Sequence, residues 1–306
     1  MVGQTITKNS PMKALRYLSL ALVALVTMAC EDDDTLPVLA DFQFLVEEAQ
    51  VTFNGTTQSA SSVVWDFGDG NSSNEEDPVH IYAGAGTYTV TMTATDANGA
   101  TFVETKEVVV PESLSILLTG GQAYPNGKTW RIKQTSTAGD GAGPISNDLN
   151  LFIASPDYIL LGVGLGGGYE DEFTFKYDGS YSVNNIDGQS LMGLVYAMIE
   201  KQADIRAVSA DPQNVPLADV VYTPVTDATW EVVEGDFTIQ SALGPVPFVD
   251  KQQLILGDYI GFADKAYNVV LKSISEDSMS IAIGLHTEAA AYTLPTLFLH
   301  LTLEPK

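Results

Sequence analysis

Cysteine is almost absent from this chain: its 306 residues carry one, Cys30. An internal disulfide is therefore excluded, and the fold must be held by its core. Histidine is scarce, and its three copies, His80, His286 and His300, lack metal-ligand spacing. Basic residues are few, with 14 Lys and Arg against 39 Asp and Glu. That acid excess repels phosphate backbones and excludes nucleic acid as a partner. No apolar run reaches the ~20 residues a membrane-spanning helix needs. The glycine-rich stretch 162–168 has neither the lysine nor the following helix of a phosphate loop, and no cofactor signature stands elsewhere.

What is present begins at the N-terminus. Met12, Lys13 and Arg16 form a short basic start, residues 18–28 are apolar, and small Ala29 precedes Cys30. This is the pattern of an export signal, with residues 1–11 an upstream extension. The segment Val26-Thr27-Met28-Ala29-Cys30 resembles a bacterial lipobox, apart from Thr27 where leucine is usual. The resemblance implies a signal segment over 1–29 and lipid attachment at Cys30. The alternative is an ordinary secreted chain with a buried free thiol. Residues 30–39 form an acidic tether, in which Glu31-Asp32-Asp33-Asp34 is a solvated block of like charge. That block resembles the signal sending lipoproteins of Bacteroidota-type bacteria to the outer face of the outer membrane. The expected location is thus the outer membrane, lipid-anchored and facing the cell exterior. Lys8, Lys13 and Arg16 precede Cys30, which leaves 11 of the 14 basic residues against 39 acidic ones, a net of −28. The membrane contact must then come from lipid, and one acyl chain alone is a marginal anchor.

Residues 40–110 alternate in short strands. Phe42, Phe44 and Val46 share one face, as do Val63, Trp65 and Phe67, then Tyr88, Val90, Met92 and Ala94. Turn signals between such strands argue for an antiparallel sandwich. Three blocks follow in order: Trp65-Asp66-Phe67-Gly68-Asp69-Gly70, Pro78-Val79-His80-Ile81-Tyr82 and Gly86-Thr87-Tyr88-Thr89-Val90. They resemble the PKD domain, an immunoglobulin-like sandwich used in exported proteins as a spacer or adhesion module. Trp65 is expected between the sheets, Gly68 and Gly70 in a tight turn, and Asp69 capping its amides. Asp66, Asp69 and Asn71 supply too few oxygens for calcium, which takes six to eight.

Residues 111–306 form a second, larger antiparallel β domain, a barrel or sandwich of lipocalin-like type with one inserted helix. A short helical stretch at 113–118 ends at Gly120-Gly121. Strands are expected at 130–133, 158–163, 173–177, 181–183, 230–233, 237–239, 254–256, 269–271, 279–283 and 297–303. Asp178-Gly179 signals a two-residue hairpin. Leu191, Leu194, Val195, Met198 and Ile199 recur at helical spacing, which predicts an amphipathic helix over 190–206. Gly127-Lys128-Thr129-Trp130, Gly162-Val163-Gly164, the run from Tyr169 to Phe175 and Asp178-Gly179 resemble a C-terminal module of Bacteroidota surface lipoproteins. Those proteins accompany SusC/SusD-like transporter complexes and are taken as surface glycan-binding proteins. Tryptophans often found near the Gly-Val-Gly segment are replaced here by Asp157-Tyr158.

Sugar binding needs flat aromatic faces beside carboxylates and amides. The candidates are Tyr169, Tyr259, Trp130, Trp230 and Tyr124, with Asp157, Glu170 and Asp258 as polar partners. Trp130 and Trp230 also suit a core, whereas Tyr169 follows three glycines and is expected in an exposed loop. Glu170 and Glu172 would point the same way in a strand, which keeps a glycoside hydrolase open as an alternative. A purely structural or adhesive lipoprotein is the other. The reading carried forward is non-catalytic: a lipid-anchored protein capturing polysaccharide or oligosaccharide for an outer-membrane uptake system.

Overall fold

Alternating burial over residues 39–110 builds seven strands: β1 (Leu39–Glu47), β2 (Gln50–Gln58), β3 (Ser62–Asp66), β4 (Ser72–Ser73), β5 (Val79–Ile81), β6 (Gly86–Thr95) and β7 (Thr101–Val110). The computed structural model describes residues 36–121, 124–264, 269–287, 289 and 293–306. Cys30, the signal segment and the acidic run lie outside the described residues. The seven strands form two sheets, β1-β2-β5 and β4-β3-β6-β7. Trp65 is fully buried between them, edge-on to Phe42 at 5.0 Å, with its Nε1 donating to the Glu75 carbonyl. Gly68 is required twice: its φ is +79°, and a Cβ would stand 2.5 Å from the Thr89 carbonyl. As expected, Asp69 caps the turn, accepting from the Asn71 amide while its other oxygen meets His80 at 2.8 Å. Asp66 likewise accepts from the Gly68 amide.

The helical stretch is real. In α1 (Leu114–Thr119), Ser113 caps the N-terminus and Gly120, at φ +78°, ends it. There follow β8 (Lys128–Ile132), β9 (Gly141–Pro144), β10 (Ile153–Ala154), α2 (Ile159–Gly162), β11 (Glu172–Phe175), β12 (Ser180–Asn184), β13 (Gln189–Gly193), α3 (Leu194–Glu200), β14 (Ile205–Val208) and β15 (Leu217–Val221). The chain ends in β16 (Ala228–Ser241), β17 (Gly244–Leu256), β18 (Val269–Ile274), β19 (Met279–Leu285) and β20 (Leu297–Pro305). Eight of these close on themselves in the order β8-β11-β12-β16-β17-β18-β19-β20, with β20 pairing back to β8. A ring of eight antiparallel strands is just wide enough to be filled by side chains. Trp130, Phe173, Phe175, Leu254, Ile281 and Leu303 belong to that filling. Residues 37–306 make one compact unit. No helix among the described residues is long and apolar enough to cross a membrane.

Four local expectations change. Residues 158–163 are not a strand: Tyr158 takes φ +55° and starts the single turn α2. The predicted helix over 190–206 shrinks to the seven residues of α3, because β13 precedes it and β14 follows. Leu191 and Met192 are both buried, as in a strand covered on two faces, and that doubly buried strand imitated helical spacing. At Asp178-Gly179 the loop has three residues, 177–179, closed by the Lys176 amide on the Ser180 carbonyl, with Gly179 at φ +85°. Residues 230–233 and 237–239 belong to one strand, since Gly235 sits in a β-bulge of β16 rather than a turn.

Candidate functional site

Most of the expected sugar contacts are structural. Trp130 is buried, donates its Nε1 hydrogen to the Leu118 carbonyl at 2.9 Å and lies under the Lys128 ammonium. Trp230 is half-buried, bonded to the Lys176 carbonyl and edge-on to Phe175. Tyr259 is fully buried: its hydroxyl lies 2.9 Å from Asp171 and 2.6 Å from Ser190. Asp258 is buried too, accepting from the Tyr222 hydroxyl and the amides of Val225 and Tyr259. Asp171, Ser190, Tyr222, Asp258 and Tyr259 are thus linked by hydrogen bonds inside the barrel domain.

Tyr169 corrects the expectation of an exposed loop. It is only 5% exposed, and its hydroxyl accepts from the Leu160 amide. The glycines before it form a 3₁₀ turn (Gly166–Tyr169) pressed onto β13, where a Cβ on Gly168 would stand 2.3 Å from a Leu191 methyl. They are there for close approach rather than mobility. Glu170 and Asp157 are exposed, and Asp157 accepts from the Ser136 amide. Because β11 begins at Glu172, strand alternation does not reach Glu170 and does not align the two carboxylates. Glu172 instead meets Lys306 and Asn184. Between them, Asp171 is buried, and burial pushes its carboxyl up to about 8, with Asp187 and Asp219 adding to the effect. Burial also raises Asp219, to about 6, and Asp187 contributes.

The histidines have separate surroundings. His80 stacks on Phe67 and pairs with Asp69. His286 shares a buried contact with Asp264, and His300 is held near a pKa of about 4 by burial and by Lys272. Among the described residues no group of His, Cys, Asp and Glu is arranged to hold a metal ion.

One aromatic candidate keeps an open face. Tyr124 is 56% exposed, and its ring packs against Gly120, where a Cβ would stand 3.1 Å away. The residue that ends α1 thus also seats the ring. Tyr124 lies in a cleft of about 740 Å³ between the two modules. Ala83, Gly84 and Ala85 of the sandwich form one wall, and Lys128, Glu276, Asp277 and Lys306 of the barrel domain form another. Lys128 is committed to the Leu117 and Glu276 carbonyls, and burial lowers its pKa against the pull of Glu276 and Asp277. The cleft therefore offers one aromatic face with carboxylates at hand, a pattern suited to hydroxyl-rich ligands. Glu48 ties the sandwich to the second module, accepting from Ser115 at 2.6 Å and from Tyr177 at 3.1 Å. The sequence signal for Tyr124 was its place among the aromatics, but nothing distinguished it from its buried neighbours.

Comparison with known proteins bears on the first module. Collagenase ColA of Clostridium perfringens is 38% identical over 212 residues, which are 66% of this chain and 16% of that protein. The chain thus spans less than a fifth of this relative's length. The crystal structure of the PKD1 domain from Vibrio cholerae metalloprotease PrtV is 32% identical, covering 26% of this chain and all of that one, with a TM-score of 0.25. A solved carbohydrate-binding module of the β-sandwich superfamily aligns over 89% of this chain and 93% of its own at 12% identity, with a TM-score of 0.26. The PKD domain family matches residues 37–110, the whole of the N-terminal sandwich, and that sandwich is a PKD domain.

Proposed function

We propose that this chain is a non-catalytic surface protein, lipid-anchored at Cys30, that captures polysaccharide or oligosaccharide for an outer-membrane uptake system. The glycan lies in the cleft between the PKD domain and the barrel. One observation carries the reading: Tyr124 keeps an open ring face in a cleft that also holds Glu112, Glu276 and Asp277. An aromatic plate with a few polar groups fixes a ligand's orientation without any reacting group. The PKD domain here is a wall of the site as well as a spacer. The SusC/SusD-like transporter belongs to this reading as the recipient of the captured chain.

The test is affinity electrophoresis of the soluble chain from Thr35 through gels containing single polysaccharides. Retardation without release of reducing ends supports capture, whereas product release supports a glycoside hydrolase. Tyr124→Ala should abolish most of the retardation while leaving the melting temperature unchanged. Free passage of the unaltered protein through every glycan gel would sink the proposal and leave the structural or adhesive alternative.

A further inference from the structure

A second cavity lies on the barrel domain, and none of its lining residues belongs to the Tyr124 cleft. It arises from the way β20 changes partner. Leu303 to Pro305 pair with β8, whereas Leu297 to His300 pair with β9. Where β8 and β9 diverge, the barrel wall parts and leaves a slot of about 330 Å³. Leu297, Leu299 and Leu301 line it from β20, and Ile159 and Leu160 from α2. Ile153, on its border, is 81% exposed, a large apolar side chain left in water beside an apolar cavity.

The polar groups at this slot differ in what they leave free. Asp140 borders it, but both its oxygens are occupied, one by the Thr302 hydroxyl and one by the Thr137 amide, each at 2.8 Å. Lys133 also borders it, and among the described residues its Nζ has only a long 3.4 Å contact with the Thr137 hydroxyl. No ion pair among the described residues uses Lys133. Among the described residues Lys133 is the one lysine or arginine lining the slot, so it is the cationic partner the slot holds for an anionic group. Small-ligand pockets run from about 300 to 1,000 Å³, so a slim ligand fits this one.

We infer that the slot beside β20 binds a single free medium-chain fatty acid, with its acyl chain against Leu297, Leu299 and Leu301 and its carboxylate at Lys133. This is independent of glycan capture, so either can fail alone. The experiment is calorimetric titration of the soluble chain from Thr35 with decanoate below its aggregation limit, alongside decanol and decyltrimethylammonium. Decanoate should saturate at one per chain and bind at least tenfold more tightly than the other two. Lys133→Glu should remove that preference without moving the melting temperature. Leu299→Phe should fill the slot and abolish binding; if it does not fold, Ile153→Glu at the exposed border should weaken binding instead. No heat from decanoate, or equal affinity for all three ligands, would overturn the inference. So would sedimentation of the soluble chain with phosphatidylglycerol vesicles, which would assign the slot to membrane contact.

Discussion

Asp171 is 1% exposed, and among the described residues its carboxylate meets the Tyr259 hydroxyl at 2.9 Å. Its carboxyl is pushed up to about 8 from an ordinary 3.8, so at neutral pH the folded chain holds a proton that the unfolded chain releases. Folding is therefore least penalised by this group below about pH 4 and progressively more so up to about pH 8, levelling off beyond. Asp219, raised to about 6, adds to the same slope. Asp171→Asn should flatten the decline in melting temperature between pH 5 and 8, with a gain on the order of a few kcal/mol at the alkaline end. An unchanged decline would show that another group sets it. This coupling was hidden in the sequence, where Glu170 and Glu172 drew attention as same-side carboxylates and Asp171 between them carried no reading. Asp187, Asp219 and Tyr259 reach Asp171 only through the fold, and so do the partners that bury Tyr169.

At the scale of elements, legibility followed periodicity. The PKD strands and the strand at 254–256 could be read because side chains alternate in and out of one core. Where both faces are covered, alternation disappears, as in β13, and strand passes for helix. The end of α1 was visible because Gly120 acts locally. The second role of Gly120, as the seat of the Tyr124 ring, was not visible, since Gly120 alone does not fix where that ring packs. Gly120→Ala must place a Cβ at φ +78° and 3.1 Å from the ring. It should cost about 1 kcal/mol of stability and also weaken glycan retardation. Gly168→Ala, which would drive a Cβ into Leu191, should cost about 1–3 kcal/mol and leave retardation unchanged. Thermal melts run beside the glycan gels would separate the two effects.

For the whole molecule, the sequence pointed to two β modules behind an export signal but gave no clue that they share a cleft. Glu48 sits in the turn after β1, far in sequence from Ser115 and Tyr177, and only the fold brings the three together. Glu48→Ala should leave each module folded, yet speed amide hydrogen exchange in α1 and reduce glycan retardation. On the proposed lipid anchor, Cys30→Ser should abolish incorporation of radiolabelled palmitate into the protein, as autoradiography of the immunoprecipitate would show. The pairing of β8 with β20 has a kinetic consequence. Arg131 and Glu304 meet across that seam although they are 173 residues apart, while every PKD strand pairs within residues 39–110. The PKD domain can therefore complete itself while later residues are still being delivered, whereas the barrel stays an open sheet until its last strand arrives. During that interval the edges of β8 and β19 that β20 covers have no strand to pair with. The interval is when the chain is most exposed to proteases and to unwanted pairing with other chains.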